Sequence, residues 1–144
     1  MPVIERARLR DLLAVVRLHR RCFPPSLAYR LSTIFALYLW PRSRFLVARA
    51  GSTLVGCVVG DVQGGQTRVI TIGVDPEWRR RGVASGLLRE IEDNLTSGNV
   101  ILMVEAGNTG AQMLYRRCGY FPVGESRNYY GRGRHGIWMQ KTRV

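Results

Sequence analysis

The segment IGVDPEWRRRGVAS, at residues 72–85, joins a predicted strand to a predicted helix and is the most informative part of the sequence. Apolar residues before Asp75-Pro76 are typical of a strand, and an apolar pattern with helical spacing begins at Val83. The first turn of a helix has backbone N–H groups without partners and a partial positive charge, which suits a pyrophosphate. Gly82 keeps bulk away from those groups, and three arginines precede it. The stretch therefore predicts a phosphate-binding loop, although a plain glycine loop beside solvated arginines would share the pattern.

The flanking sequence extends this strand–helix unit into one mixed α/β domain at residues 1–144, with a mostly antiparallel central sheet. We predict the order β-α-α-β-β-β-α-β-α-β-β and a loop at residues 125–134. The predicted strands are Val3–Ile4, Phe45–Ala48, Leu54–Val59, Arg68–Val74, Val100–Val104, Tyr120–Val123 and Ile137–Met139, and the predicted helices cover about 9–21, 27–40, 83–95 and 109–118.

The composition excludes several classes of protein. The 144 residues are 46% hydrophobic, enough for a buried core, so wholesale disorder is excluded. No repeat period is visible, which excludes coiled coils and solenoids. The longest uncharged run has eleven residues, short of the roughly 18 that a membrane-spanning helix needs. The charged N-terminal segment lacks the apolar stretch of a signal peptide.

The cysteines and histidines do not form a recognisable metal or disulfide pattern. Cys22, Cys57 and Cys118 are odd in number, widely separated and without a CxxC pair, so we expect no disulfide and no zinc site. We expect a reducing, cytoplasmic location for the same reason. His19 and His135 have no ligand-like neighbours, and we expect one on a helix face and the other in a loop or strand.

A second motif lies downstream, Asn108-x-x-Ala111-x-x-x-Tyr115-x-x-x-Gly119-Tyr120. Together with Arg79-x-x-Gly82-x-Ala84, in the matching order and spacing, it resembles the signatures of the GCN5-related N-acetyltransferase (GNAT) superfamily. Within that superfamily the sequence is most similar to ribosomal-protein alanine N-acetyltransferases and related protein N-terminal acetyltransferases. Three short segments carry this finer resemblance: Val74–Trp78, Phe23-Pro24 and Arg127-Asn128-Tyr129-Tyr130.

The resemblance implies that acetyl-CoA is bound without a metal and that its acetyl group passes directly to an amine. It implies that the strand backbone holds pantetheine and that the loop and helix start hold the pyrophosphate. From residue type alone, Arg79 could be solvated instead, and Asn108 could be a plain helix N-cap. The implied acetyl-CoA-binding residues are Ile72, Gly73, Val74, Arg79, Arg80, Arg81, Gly82, Val83, Ala84, Ser85 and Asn108.

Two residues are candidates for the acid and the base of the transfer. Tyr115 matches the family tyrosine that protonates the departing thiolate, which a phenol with a pKa near 10 can do; it could also be an ordinary core tyrosine. Ribosomal-protein alanine acetyltransferases carry a glutamate base on the fifth strand. At the matching position this sequence has Met103, which cannot accept a proton. Glu105 shares its strand face about 7 Å further along. It could act as a base through a water, lie solvated, or pair with an arginine.

The acceptor side is implied by Phe23 and Pro24 and by Tyr129 and Tyr130. The net charge of +12 is concentrated there, because residues 1–49 carry a net +8 and residues 105–144 a net +5. Such a field attracts acidic peptides or the RNA of a ribosome, although a solvated arginine-rich surface would show the same count. We therefore expect nucleic acid to be at most an indirect partner.

We expect an enzyme that acetylates the N-terminal α-amine of a protein, without membrane attachment and with a ribosome-associated acceptor as one option. A free α-amine with a pKa near 8 is partly neutral at physiological pH and needs less help from a base than a lysine. The alternatives are acetylation of a small amine, such as an antibiotic or polyamine, and a non-catalytic CoA- or RNA-binding module. Turnover with a panel of peptides and small amines distinguishes the three.

Overall fold

The computed structural model describes residues 2–143 as a single seven-stranded sheet with helices on both faces. The predicted class and element order are confirmed. The strands are β1 (Val3–Arg6), β2 (Arg44–Ala50), β3 (Thr53–Gln63), β4 (Gln66–Val74), β5 (Val100–Glu105), β6 (Phe121–Gly131) and β7 (Arg134–Lys141), and the helices are α1 (Leu12–Cys22), α2 (Leu31–Leu39), α3 (Val83–Asn94) and α4 (Thr109–Arg117).

The sheet is antiparallel except at its centre. Its strand order is β1-β2-β3-β4-β5-β7-β6, and only β4 and β5 run parallel. Their register contains two pairs, Thr67 with Val100 and Arg68 with Ile101. Beyond Arg68, β4 keeps β3 on one side, while β5 pairs with β7. The sheet therefore splits at its centre, and the inner edge of β4 lacks a neighbouring strand there.

Alternation along the strands divides the core between the two faces of the sheet. On β3, Val58 packs with the residues under α3 and α4, whereas Cys57 and Val59 pack with those under α1 and α2. The apolar face predicted for α3 is the buried one, since Leu87, Leu88 and Ile91 are at most 1% exposed. These two layers fix α3 against one face of the sheet and α1 against the other.

Close packing against β3 sets the position of α3. A Cβ atom added at Gly60 would lie 2.9 Å from Ile91 Cγ1 and 3.0 Å from the Arg68 carbonyl oxygen. Only glycine therefore allows α3 to lie this close to the sheet. The N-terminus of α3 consequently points at the split between β4 and β5.

Two sequence predictions of element bounds are wrong. Residues 125–134 are not a loop, because β6 continues to Gly131 and β7 begins at Arg134. Their glycine and arginine content is typical of loops, but pairing between the two strands outweighs local preference. The second helix begins at Leu31 rather than 27, because residues 27 and 28 donate backbone hydrogen bonds to Pro24 in a turn.

Candidate active site

The split between β4 and β5 opens into a cleft of about 880 Å³. The end of β4, the loop after it, the first turn of α3 and the face of α4 form its walls. The structure thus brings both sequence motifs to one site. The sequence-predicted residues that line the cleft are Phe23, Ile72, Gly73, Val74, Arg79, Arg80, Gly82, Val83, Ala84, Ser85, Asn108 and Tyr115.

The N-terminus of α3 is open to the cleft. Gly82 is the residue before the helix, with φ +80°, a left-handed conformation that glycine adopts without strain. It caps no N–H group, and an added Cβ atom would meet nothing within 4 Å. The first-turn N–H groups therefore face open space, as an anion-binding site requires.

The three arginines before Gly82 separate into different roles. Arg79 lines the cleft, and its Nε donates a hydrogen bond to the Val74 carbonyl at 3.2 Å. Arg80 also lines the cleft and has a left-handed backbone, φ +63°. Arg81 instead lies over the Trp78 ring, 4.7 Å from its centroid, and is not among the residues of the cleft wall.

The charge of the cleft wall is entirely positive. Arg79, Arg80 and Arg117 line it, and across residues 2–143 no carboxylate or imidazole joins them. Residue type does not distinguish Arg117 from Arg116, because only the packed helix shows which of the two faces inward. Three guanidinium groups beside a helix N-terminus fit a pyrophosphate, and the open edge of β4 fits an extended pantetheine arm. The residues present thus fit acetyl-CoA.

Asn108 combines two of the roles considered from the sequence. Its Oδ1 accepts a hydrogen bond from the Ala111 N–H at 3.1 Å, which makes it the N-cap of α4. It also lines the cleft. The cap fixes the start of α4 and thereby the direction in which Tyr115 projects.

Tyr115 is a buried phenol at the cleft. Only 8% of it is exposed, its ring lies edge-on to Tyr120 at 6.2 Å, and it lines the cleft. Burial raises the pKa of Tyr115 to about 12, with a smaller contribution from nearby Cys118. The group therefore keeps its proton throughout the physiological pH range and is present in the form that can donate one.

Glu105 lies outside the cleft wall and forms an ion pair with Arg134. Its two carboxylate oxygens accept hydrogen bonds from Arg134 Nε at 2.7 Å and Nη2 at 2.8 Å. This bidentate pair lowers the pKa of Glu105, although the slight burial of the carboxylate opposes it. Of the alternatives drawn from the sequence, pairing with an arginine is the one present, and it makes Glu105 a weak base.

The α1–α2 loop forms one wall on the acceptor side. Phe23 lines the cleft, but Pro24 is exposed and does not. His19 is 1% exposed and lies between the rings of Phe23, at 4.9 Å, and Tyr29, at 5.0 Å. Its Nδ1 accepts a hydrogen bond from the Tyr29 N–H at 3.5 Å. Sequence analysis missed Tyr29, which no motif marks.

The β6–β7 hairpin carries the two predicted acceptor tyrosines outside the cleft wall. Tyr129 is 55% exposed, with its ring 6.4 Å from that of Trp138. Tyr130 is half-buried. Its pKa is raised mainly by burial and to a smaller extent by the neighbouring Tyr129 and Tyr115. Neither tyrosine lines the cleft itself. Burial raises the pKa of Tyr29, and Tyr129 raises it further, so the hairpin lies near the α1–α2 loop.

Cys22 is a further cleft residue that sequence analysis did not single out. Its thiol donates a hydrogen bond to the Val74 carbonyl at 3.3 Å, and an added Cβ atom at Gly73 would lie 3.3 Å from the sulfur. Burial raises the pKa of this thiol. All three cysteines are free.

Two features are absent from residues 2–143. No three His, Cys, Asp or Glu side chains come close enough together to hold a metal ion. None of the helices there combines the length and the apolar character needed to cross a membrane.

A buried phenol and an open helix N-terminus meet at one split sheet, an arrangement that fits transfer from a phosphate-bearing donor. Residues 12–120 match the model of the Acetyltransferase (GNAT) family, and the chain belongs to that family. It is an acetyl-CoA-dependent N-acetyltransferase of the GNAT type.

Similar proteins are known by sequence and by structure. N-alpha-acetyltransferase RimI of Mycobacterium tuberculosis is 40% identical over 94 residues, which span 62% of this chain and 60% of that protein. The crystal structure of the ribosomal-protein-S18-alanine N-acetyltransferase from Escherichia coli has a TM-score of 0.86 at 23% identity, covering 99% of this chain and 94% of that one. Arabidopsis thaliana NAA60 in complex with acetyl-CoA has a TM-score of 0.85 at 19% identity, covering 99% and 98%.

Proposed function

We propose that this protein acetylates the N-terminal α-amine of a protein or peptide. The observation that carries the proposal is the lack of a base at the cleft within residues 2–143: its wall holds no carboxylate or imidazole, and Glu105 is engaged by Arg134. His19 does not replace it, since its ring is enclosed and burial lowers its pKa to about 4.

Without a base, the acceptor has to arrive as a neutral amine. At pH 7, roughly one α-amine in ten is neutral, but only about one lysine side chain in 2,500. The unaided site therefore favours an α-amine over a lysine by about two orders of magnitude. Two similar proteins support the same type of acceptor. One is the N-alpha-acetyltransferase RimI, and the other is the ribosomal-protein-S18-alanine N-acetyltransferase.

Each part of the site has its own role in the proposed acetyl transfer. Bound acetyl-CoA supplies the acetyl thioester. The start of α3 and its arginines hold the phosphates, and β4 orients the arm beside Tyr115. As the amine nitrogen bonds to the carbonyl carbon and the carbon–sulfur bond breaks, the Tyr115 hydroxyl donates its proton to the sulfur. The proton lost by the amine nitrogen passes to solvent, and solvent returns a proton to the Tyr115 phenolate, which closes the cycle.

The basic surface supports an acceptor that is an acidic protein or a protein bound to RNA. Arg127, an exposed arginine on the hairpin, belongs to this surface. A positive field accelerates the encounter with acidic partners and repels cationic small amines. A ribosomal or ribosome-bound acceptor would satisfy this charge.

Mass spectrometry of one acceptor peptide tests the proposal directly. The peptide begins with a free α-amine and contains one internal lysine, and a matched control has its α-amine blocked. We expect the acetyl group on the α-amine of the first peptide and almost no product from the second. Equal acetylation of the blocked peptide, or turnover only with polyamines or aminoglycosides, would contradict it; tight acetyl-CoA binding with no turnover on any acceptor would indicate a binding module.

A further inference from the structure

The β6–β7 hairpin contains a large irregularity beside the acceptor side. Ser126 pairs with Gly136, and the next pair is Gly131 with Arg134. Residues 127–130 of β6 therefore stand opposite a single residue of β7, His135. Bulges of this kind re-aim side chains next to active sites, and the side chains concerned here include Tyr129 and Tyr130.

Asn128 is the residue that turns the chain within this bulge. Its φ of +57° lies in the left-handed region, which asparagine tolerates better than most non-glycine residues. Its backbone N–H donates a hydrogen bond to His135 Nδ1 at 3.0 Å, and its Oδ1 accepts one from the Gly133 N–H at 2.8 Å. One contact thus reaches across to the opposite strand and the other to the hairpin turn.

The first contact fixes the chemical state of His135. Because a backbone N–H can only donate, Nδ1 has to carry a lone pair, and the neutral ring then has its proton on Nε2. The backbone of His135 is held as well, since its carbonyl accepts the Ala106 N–H at 2.8 Å. The ring acceptor is therefore presented from a fixed point at the end of β5.

The bulge delivers its two tyrosines to a space kept open by glycine. A Cβ atom added at Gly136 would lie 2.5 Å from Met103 Sδ and 3.1 Å from Tyr129 Cβ. The ring of Tyr130 lies 4.9 Å from that of Tyr129, and Tyr115 is near enough to contribute to the raised pKa of Tyr130. A shift of the bulge would move both rings relative to the cleft.

From this arrangement we infer that Asn128 and His135 are positioning residues for the acceptor, which act by holding Tyr129 and Tyr130 at the mouth of the cleft. The inference rests on the proposed function, because the two tyrosines touch the acceptor only if a polypeptide enters between the hairpin and the α1–α2 loop. It concerns acceptor binding alone, since the acetyl-CoA-binding residues lie on β4, α3 and α4.

Steady-state kinetics with the α-amine peptide test this inference with four variants. His135→Ala removes the ring acceptor, and His135→Asn places an amide oxygen near the position of Nδ1. Asn128→Gly keeps the left-handed backbone and removes only the contact to Gly133. Arg132→Lys is the control, because Arg132 lies exposed in the same turn and takes part in neither contact.

We expect His135→Ala and Asn128→Gly to raise the KM for the peptide about tenfold, the effect of one lost hydrogen bond, with kcat and the KM for acetyl-CoA unchanged. His135→Asn should restore most of the peptide KM, and Arg132→Lys should match the wild type. An unchanged peptide KM in both disrupting variants overturns the inference. So does a parallel loss in kcat, acetyl-CoA affinity and melting temperature, which indicates a general structural role.

The same experiment separates this inference from the proposed function. A wild-type enzyme that acetylates no α-amine defeats the proposed function and the inference with it. A wild-type enzyme that acetylates the α-amine, combined with variants that bind the peptide normally, defeats the inference alone. Because Asn128→Gly introduces no backbone strain, it keeps the test valid if His135→Ala folds poorly.

Discussion

Tyr115 owes its chemical role to where its hydroxyl lies rather than to its residue type. Burial raises its pKa to about 12, so the group holds its proton at every pH at which the enzyme is stable. A proton donor of this kind helps only while the carbon–sulfur bond breaks, because a bound thioester needs no proton. Its contribution therefore belongs to the chemical step and not to acetyl-CoA binding.

Replacing Tyr115 by phenylalanine removes the hydroxyl and keeps the buried ring. We expect kcat to fall about 100- to 10,000-fold, the usual contribution of a general acid, with the dissociation constant for CoA unchanged by calorimetry. The edge-on contact with Tyr120 should persist, so the melting temperature serves as the control for folding. A variant with wild-type kcat would assign Tyr115 to the core instead.

Gly82 tests the phosphate-binding assignment through a pair of nearly isosteric variants. Asparagine and aspartate both tolerate the left-handed backbone of this position, and the space beside it is open. They differ in one negative charge, which would stand where the pyrophosphate approaches the start of α3. We expect Gly82→Asp to bind CoA about tenfold or more weakly than Gly82→Asn, a difference of about 1.4 kcal/mol or more. The measurement is calorimetry at low salt, and the gap should narrow at high salt.

Equal CoA affinity in the two Gly82 variants would place the pyrophosphate elsewhere. The start of α3 would then be an ordinary exposed helix end.

At the scale of elements, α3 is fastened at its far end by one residue of the C-terminal segment. Arg143 donates hydrogen bonds to the carbonyls of Glu92 and Gly98 at 2.8 Å and of Leu95 at 2.9 Å. It also reaches the Thr67 hydroxyl on β4 at 2.9 Å. A cation at a helix C-terminus satisfies the last carbonyls and complements the helix dipole. The helix is thus held to β4 at one end and open to the cleft at the other.

Arg143→Ala should lower the free energy of unfolding by about 2 kcal/mol, since several hydrogen bonds from a charged group to helix-end carbonyls are lost. Urea denaturation measures this value. The matched control is Arg89→Ala, at an exposed arginine on α3, which should change it by less than about 0.5 kcal/mol. If the two variants are equally stable, Arg143 does not fasten the helix. The KM for acetyl-CoA should remain near the wild-type value in both.

The elements that local pattern specifies were predictable from the sequence, and those made by distant contacts were not. The β4–α3 unit follows from helical periodicity and one glycine, and the structure places its residues at the cleft. The hairpin was mistaken for a loop, because the pairing of β6 with β7 outweighs the local preference of residues 125–134. The Arg134–Glu105 pair joins residues 29 positions apart, and no spacing rule selects it among so many arginines.

At the scale of the whole molecule, one buried histidine links stability to pH. His19 is enclosed by aromatic rings, and burial lowers its pKa from 6.5 to about 4. Between those two values the unfolded chain binds the proton more strongly than the folded chain does. The stability contributed by a neutral His19 is therefore fully present above pH 6.5 and is lost as the pH falls from 6.5 towards 4. Below pH 4 this residue causes no further loss.

Urea denaturation at pH 7 and pH 5 should show this loss in the wild type. His19→Gln should be less stable at pH 7 but lose less between the two pH values, because glutamine does not titrate. Carboxylates contribute little in this window, since they titrate near pH 4 in an unfolded chain. An identical pH dependence in the two proteins would show that His19 is not the group responsible.

The central claim is that the acceptor arrives as a neutral α-amine, since the cleft wall within residues 2–143 holds no base. The pH dependence of kcat/KM tests it most directly, measured with two peptides that differ only in their first residue. One begins with alanine, and the other with a residue whose electron-withdrawing side chain lowers the pKa of its α-amine. The account predicts a rate that rises with pH through a midpoint near pH 8 for alanine and levels off above about pH 9, with a midpoint that moves down with the acceptor's pKa. A midpoint that stays the same for both peptides would contradict it, because a group of the enzyme would then be accepting the proton.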